Sequence, residues 1–318
     1  MNTADTSTVR DAIVVGGSAA GLSAALMLGR ARRRVLVIDA GLPRNRFADR
    51  MHGVLGNDGT PPLEFVRTGR AEAAAYGVEF LDATVDSVTD DGPTLTVTIA
   101  DGRAFPVRAL VVATGITDEL PAIPGLAERW GTTVLHCPYC HGWEVRDRRF
   151  GVLATSPMAL HQAKLVRQWS DHVTLFSAAA GELAPADDAR LRARGVELVT
   201  SPVTEVLGDG PQVTGVRTAD GTVTDVDAIF TAGVPRPHDT FLAGLALART
   251  EFPAGLGSFL TVDQAGATSH PRIWAAGNVT NPMATVPMAV GTGALTGGAV
   301  NGALVEEDFD AAFSGMLH

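Results

Sequence analysis

Cysteine is nearly missing from this chain: its 318 residues hold two, both in Cys137-Pro138-Tyr139-Cys140. So few cysteines exclude a framework of structural disulfides, and a lone pair at this spacing points to redox or metal chemistry. An excess of positive charge is also absent. With 25 Lys and Arg against 35 Asp and Glu, the formal charge is −10. That balance argues against a nucleic-acid footprint, which needs clustered cations. The one basic run, Arg30 with Arg32-Arg33-Arg34, reads as a solvated helix end. Aromatic residues are scarce at 6% and the charges are scattered, so neither shows what docks. No signal peptide is seen, since Met1 to Arg10 is polar. An uncharged run from Val279 to Val305 is long enough to span a bilayer, yet it carries Asn281, Pro282, Pro287, Asn301 and many glycines. No membrane span is expected, and the chain reads as cytoplasmic.

What is present begins at Asp11. Ala12-Ile13-Val14-Val15 reads as a short buried strand, Gly16-Gly17-Ser18-Ala19-Ala20-Gly21 as a turn, and Leu22 to Arg30 as a helix rich in Ala and Leu. A second apolar run, Val35 to Ile38, ends in Asp39, where the ribose-binding acid of a dinucleotide unit belongs. The helix amides are then expected to face a pyrophosphate. Ser18 replaces the middle glycine of the fingerprint, and a residue that small still lets backbone approach phosphate.

The length fits two domains, and the chain is internally duplicated. Val78-Glu79-Phe80-Leu81 is echoed by Val196-Glu197-Leu198-Val199, Asp91-Gly92-Pro93 by Asp209-Gly210-Pro211, Asp101-Gly102 by Asp220-Gly221, and Ala113-Thr114-Gly115 by Thr231-Ala232-Gly233, at a shift of 118 or 119. Upstream, Val35 to Ile38 maps onto Val173 to Phe176 at a shift of 138. The expected architecture is α/β, with two Rossmann-like nucleotide-binding units, each a strand, helix and strand followed by a β-meander and a closing strand. In the second copy Gly16, Ser18 and Gly21 become Ala154, Ser156 and Ala159, Asp39 becomes Ser177, and no Arg cluster follows Phe176. That copy has the shape for a nicotinamide nucleotide without the residues that grip one.

Over nearly its whole length the sequence resembles the low-molecular-weight thioredoxin reductase family, and within it the flavin-dependent dithiol oxidases that close disulfides in gliotoxin- and holomycin-type metabolites. The resemblance rests on Gly16 to Gly21, Asp39-Ala40-Gly41-Leu42-Pro43-Arg44-Asn45, His52-Gly53, Ala113-Thr114-Gly115, Cys137 to Gly142 and Ala276-Gly277-Asn278-Val279. It implies a discontinuous FAD-binding domain (residues 1–116 and 236–318) with a degenerate NAD(P)-binding-like domain carrying the cysteines (residues 117–235) inserted in it, and a homodimer. It also implies cofactor contacts at Gly16, Ser18, Ala19, Ala20, Gly21, Asp39, Ala40, Asn45, His52, Val85, Ala113, Thr114, Gly115, Gly277, Asn278 and Val286. Three sites depart from the reductase pattern: His141 stands where Asp usually follows the second cysteine, Gly277-Asn278 where Gly-Asp is usual, and Thr285-Val286 where Arg-Gln is usual. With the vacant second turn, these shift the expectation toward an oxidase.

The resemblance puts Cys140 beside the flavin and Cys137 in exchange with substrate; His141, a residue type that titrates near neutrality, is expected to take and return the thiol protons. The expected reaction joins the thiols of a small-molecule dithiol, with dioxygen as acceptor and peroxide as product. Other readings stay open. Cys137 to His141 also fits a c-type haem attachment pattern, the pair could anchor a zinc site given two further ligands, or it could be inert. Within flavoproteins, a reductase fed by NAD(P)H and a non-enzymatic binding protein are the alternatives. Asn45 and His52 read otherwise as turn and loop residues; Trp143 is either a pocket wall or core; His136 shapes the pocket.

Overall fold

The computed structural model describes residues 6–253 and 257–316. The chain starts with β1 (Arg10–Val15), α1 (Ala19–Arg30), β2 (Val35–Asp39), α2 (Pro62–Ala74), β3 (Glu79–Asp82), β4 (Val85–Asp90), β5 (Leu95–Ile99) and β6 (Ala104–Val112). It leaves this unit along β7 (Ile116–Glu119). A second unit follows: β8 (Val134–Leu135), α3 (Pro138–His141), β9 (Phe150–Leu153), α4 (Ala159–Val166), β10 (Val173–Phe176), α5 (Pro185–Ala193), β11 (Val196–Val199), β12 (Val203–Asp209), β13 (Gln212–Thr218), β14 (Val223–Asp225) and β15 (Ala228–Phe230). The return runs through β16 (Val234–Pro237), β17 (Arg249–Phe252), β18 (Gly257–Leu260), β19 (Ile273–Ala275) and the long α6 (Val286–Met316).

The first sheet is ordered β3-β2-β1-β6-β5-β4, with β19 also on β6. Its central strands are buried on both faces, as parallel strands flanked by other layers must be. The two-residue period sends Ala12, Val14, Val35, Val37, Ala109 and Val111 to the face covered by α1 and α6. Ile13, Val15, Leu36, Ile38, Leu110 and Val112 fill the opposite face. Smaller side chains sit on the helix face because α1 and α6 come close: a Cβ on Gly293 would stand 2.1 Å from the Ala20 carbonyl oxygen. Apart from its length and apolar character, α6 behaves as a layer of this unit, burying Ala289, Gly293, Thr296, Gly297, Val300 and Leu304.

The second sheet, β11-β10-β9-β15-β8, repeats the first in register. Ala12 pairs with Val35 and Phe150 with Val173, both related by 138; Leu36 pairs with Glu79 and Thr174 with Glu197, related by 138 and 118. The sequence echoes are therefore structural equivalences. One equivalence was hidden from the sequence: β19 lies on β6 and β8 lies on β15, so β8 is the counterpart of β19 although it precedes its unit instead of ending it. The chain passes between the units on β7 and β16, which pair antiparallel with Ile116 opposite Pro237.

The Arg run is not simply a solvated end. Arg33 donates to Asn301 and Asp308 of α6, and the Arg34 amide donates to Asp11, so the run ties α1 to its neighbours. Burial pushes the Asp11 carboxyl up, but hydrogen bonds from Arg34 and Arg108 outweigh it and hold the group below the usual carboxylate range.

Candidate active site

Strand ends build the site. β1 delivers the turn from Gly16 to Gly21, β6 delivers Ala113-Thr114-Gly115, and β19 delivers Gly277-Asn278. The equivalent β8 delivers His136-Cys137 and α3. These segments meet around one cavity of about 690 Å³, within the range of small-molecule and cofactor sites. Gly16, Ser18, Ala19, Ala20, Asp39, Asn45, His52, Ala113, Thr114, Gly115, Gly277, Asn278 and Val286 line it, together with Cys137, Cys140 and His141. Three expected cofactor contacts lie off this wall. Gly21 packs under the turn, where a Cβ would come 1.8 Å from the Gly16 carbonyl oxygen. Ala40 is exposed beyond β2, and the Val85 side chain is buried in the core beneath the first sheet.

Glycine is required where the turn is tightest. Gly16 has φ of 102°, and a Cβ there would meet the Ala113 carbonyl oxygen at 2.4 Å. A Cβ on Gly17 would strike the Asp39 carboxyl at 2.8 Å, so the missing side chain lets Asp39 lie along the turn. Ser18, at the start of α1, makes no side-chain capping bond. First-turn amides of a helix lack intrahelical acceptors, which makes this end an anion cradle.

Cys137 and Cys140 are joined as a disulfide, with Cα atoms 5.3 Å apart. Cys137 precedes α3 in extended backbone while Cys140 lies within the helix, so the two sulfurs are inequivalent. Burial pushes the His141 imidazole below its ordinary value; Glu144 opposes this, and His52 and His136 reinforce it. His136 is likewise lowered, first by burial and then by the Arg44 guanidinium. Its Nδ1 and the Thr114 Oγ1 are buried polar atoms of the cavity wall with no hydrogen-bond partner among the described residues. His52 stands between two carboxylates, Nδ1 3.4 Å from Asp58 and Nε2 3.4 Å from Glu144.

Several wall residues have structural roles that the sequence did not show. Arg44 holds Asp118 through two bonds of 2.8 and 2.7 Å and donates to the Pro282 carbonyl at 2.9 Å, joining three segments at the cavity. Asn278 donates to the carbonyls of Asn281, Pro282 and Ala284, bracing the loop that leads into α6. Gln162 of α4 donates to the His136 carbonyl at 2.8 Å and pins α4 to the redox segment. Trp143 is neither pocket wall nor core: it is 64% exposed under the Arg146 guanidinium.

The second copy of the turn is closed by its own groups. The Thr155 hydroxyl, at the position of Gly17, donates to the Ala232 carbonyl at 2.9 Å. The Met158 amide donates to Ser156 Oγ, the Ala159 amide to the Ser156 carbonyl and the Leu160 amide to the Pro157 carbonyl. Pro157 has no amide hydrogen. Ser177, at the position of Asp39, is buried against the Val199 carbonyl. Among the described residues no group of three His, Cys, Asp or Glu is placed to hold a metal ion.

A dinucleotide cradle and a disulfide opening on one cavity define a flavin-type thiol–disulfide oxidoreductase. The chain belongs to the pyridine nucleotide-disulphide oxidoreductase family, whose sequence profile matches residues 10–293. It is 30% identical to thioredoxin reductase sirT of Leptosphaeria maculans over 324 residues, covering 92% of this chain and 93% of that protein. It is 39% identical to thioredoxin reductase tcpT of Claviceps purpurea (strain 20.1) over 194 residues, covering 57% of this chain and only 60% of that relative. Among solved structures, that of HlmI superposes with a TM-score of 0.92 at 41% identity, covering 99% of this chain and 98% of that one. Putative thioredoxin reductase TrxB of Bacillus anthracis gives 0.85 at 27% identity, covering 94% and 99%. The chain is thus an enzyme acting on thiols and disulfides, with two Rossmann-like units of the thioredoxin reductase type and FAD as cofactor. The wall fits that cofactor: the turn at Gly16 and Gly17 leaves room that side chains would fill, and buried Thr114 Oγ1 has no partner among the described residues.

Proposed function

We propose that this flavoprotein is a dithiol oxidase that joins the two thiols of a small molecule, with dioxygen as acceptor and hydrogen peroxide as product. The observation that carries this reading is the self-closed second turn, in which the Met158, Ala159 and Leu160 amides are spent on Ser156 and Pro157 instead of being open to a pyrophosphate. Electrons then enter from a dithiol, not from a nicotinamide.

In this reading Gly16, Ser18, Ala19, Ala20 and Asp39 hold the adenosine diphosphate half of FAD, while Asn45, His52, Ala113 to Gly115, Gly277, Asn278 and Val286 hold the remainder. A substrate thiolate attacks Cys137 Sγ, breaking the Cys137–Cys140 bond and forming a mixed disulfide. The second substrate thiolate attacks the substrate sulfur of that bond, which releases the product disulfide and leaves Cys137 and Cys140 reduced. Neutral His141 accepts a thiol proton, a role its lowered pKa suits at neutral pH. When bound, FAD supplies a two-electron acceptor for the reduced pair and a donor to dioxygen, so one dithiol and one dioxygen give one disulfide and one peroxide. We place the unit boundaries at 116/117 and 235/236, within the β7–β16 crossing, and take the enzyme to be a cytoplasmic homodimer.

Oxygen uptake with small dithiols tests the reading. Peroxide and disulfide are expected to form in about equal amounts, because both half-reactions carry two electrons. Turnover that requires NADPH and yields no peroxide would make the chain a reductase.

A further inference from the structure

Beyond the disulfide, the cavity runs along α4 of the second unit, past Ser156, Met158, His161, Gln162 and Leu165. This is the crevice at the carboxyl ends of β9 and β15, where an open α/β sheet places its ligand. The first unit uses the equivalent crevice for a dinucleotide. In the second unit the space persists while the means of holding a dinucleotide are gone.

The charge around the crevice bears on what fills it. The two cations of α4 and its end are committed elsewhere: Lys164 pairs with Asp187, and Arg167 donates to the carbonyls of Arg194 and Ser170. Neither lines the cavity. Arg44 and Arg50, which do, come from the first unit: Arg44 is held by the Asp118 carboxylate and Arg50 donates to the Gly59 carbonyl. Among the described residues, no Lys or Arg of α4 is therefore offered to a phosphate along this wall, and Met158, Leu165 and the ring of Tyr139 supply apolar surface. The Gln162 bond to the His136 carbonyl fixes that wall next to Cys137.

We propose that this abandoned nucleotide crevice is the binding subsite for the carbon skeleton of the dithiol, and that it selects compact, uncharged, apolar skeletons through Met158 and Leu165. The proposal rests on the dithiol oxidase reading for the identity of its ligand. It converts a nucleotide site into a specificity pocket by spending the Met158, Ala159 and Leu160 amides inside the turn and leaving Met158 and Leu165 as apolar surface in the hollow beside α4. A skeleton seated there holds its thiols at the mouth of the Cys137 segment. A dithiol without such a skeleton reaches the cysteines with no help from α4.

The test uses the FAD-loaded enzyme, with 1,2-benzenedimethanethiol as apolar dithiol, dithiothreitol as polar dithiol, and the S,S′-dimethyl derivative of the former as an unreactive probe. Leu165→Arg and Met158→Glu are expected to lower kcat/KM for the aromatic dithiol at least tenfold relative to dithiothreitol, mainly through KM. Both should also weaken calorimetric binding of the dimethyl probe at least tenfold. Lys164→Ala, off the cavity wall, should leave both ratios within twofold of the parent. Met158 is exposed enough for its variant to fold even where Leu165→Arg does not. Equal losses for the two dithiols, or unchanged probe affinity in the variants, would overturn the subsite even if oxygen uptake proceeds. Conversely, probe binding that the variants weaken, in an enzyme that consumes no oxygen with either dithiol, would uphold the apolar subsite and remove the oxidase reading.

Discussion

At the scale of single residues, the proposed chemistry depends on two sulfurs and one imidazole. Cys137 precedes α3 and Cys140 lies inside it, so their substitutions should not be equivalent. Both Cys137→Ser and Cys140→Ser are expected to reduce turnover to background. With Cys140 next to the flavin, reduced Cys137→Ser retains a long-wavelength thiolate–flavin absorbance band and Cys140→Ser lacks it. The reverse spectra would exchange the roles. His141 is held below the ordinary histidine value by burial, so it stays neutral through neutral pH and gains its proton only at lower pH. With the neutral form as the proposed base, activity should fall on acidification with an apparent pKa below about 6.5. His141→Asn should remove that acid limb and slow the reaction by about 10²–10⁴-fold. A pH–rate profile that keeps the limb in the variant would assign it to another group, His136 first.

The legible residues were those that act close to their sequence neighbours. Asp39 follows its strand directly, the Gly16 turn is contiguous, and the two cysteines sit three apart. Arg44 and Asp118 pair across 74 positions, and no local pattern announces such a bond. Trp143 was ambiguous because an aromatic next to a redox pair packs equally well inward or, as here, outward under an arginine.

At the scale of elements, the packing of α1 on α6 links stability to the cofactor. Gly293 lies over Ala20, and Gly297 over Ala24, with hypothetical Cβ atoms 2.1 and 2.6 Å from the two carbonyl oxygens. Ser23 adds a 2.8 Å bond to the Val290 carbonyl. Gly293→Val forces the helices apart and should cost about 1–3 kcal/mol, an overpacking penalty. For a chain of this size that lowers Tm by roughly 2–4 °C per kcal/mol. The variant should also purify with less flavin, because Ala20 belongs to the turn that forms the cradle. Flavin content equal to that of the parent would separate the helix packing from the site. The sequence showed α6 only as an uncharged run, since its small-residue face has meaning only once α1 is set against it. The equivalence of β8 with β19 was hidden for a topological reason: the redox strand precedes its unit while its counterpart closes the first.

At the scale of the whole molecule, a duplicated nucleotide fold serves a single redox cavity. The duplication was legible because strand registers preserve spacing, and both copies keep the same pairings. How the second copy departs from the first at its turn was legible only in part. The sequence shows Ala154, Ser156 and Ala159 in place of the turn, but not that Thr155 and Ser156 close it with their own hydroxyls. Nor does it show that the hollow beside α4 opens into the cavity that holds Cys137.

The direction of electron entry is the central claim, and anaerobic mixing in a stopped-flow spectrophotometer tests it most directly. A small dithiol should bleach the flavin absorbance promptly, NADPH at the same concentration should bleach it slowly or not at all, and admitted oxygen should restore the oxidised spectrum. Prompt bleaching by NADPH, giving a reduced flavin that persists in oxygen, would contradict the account.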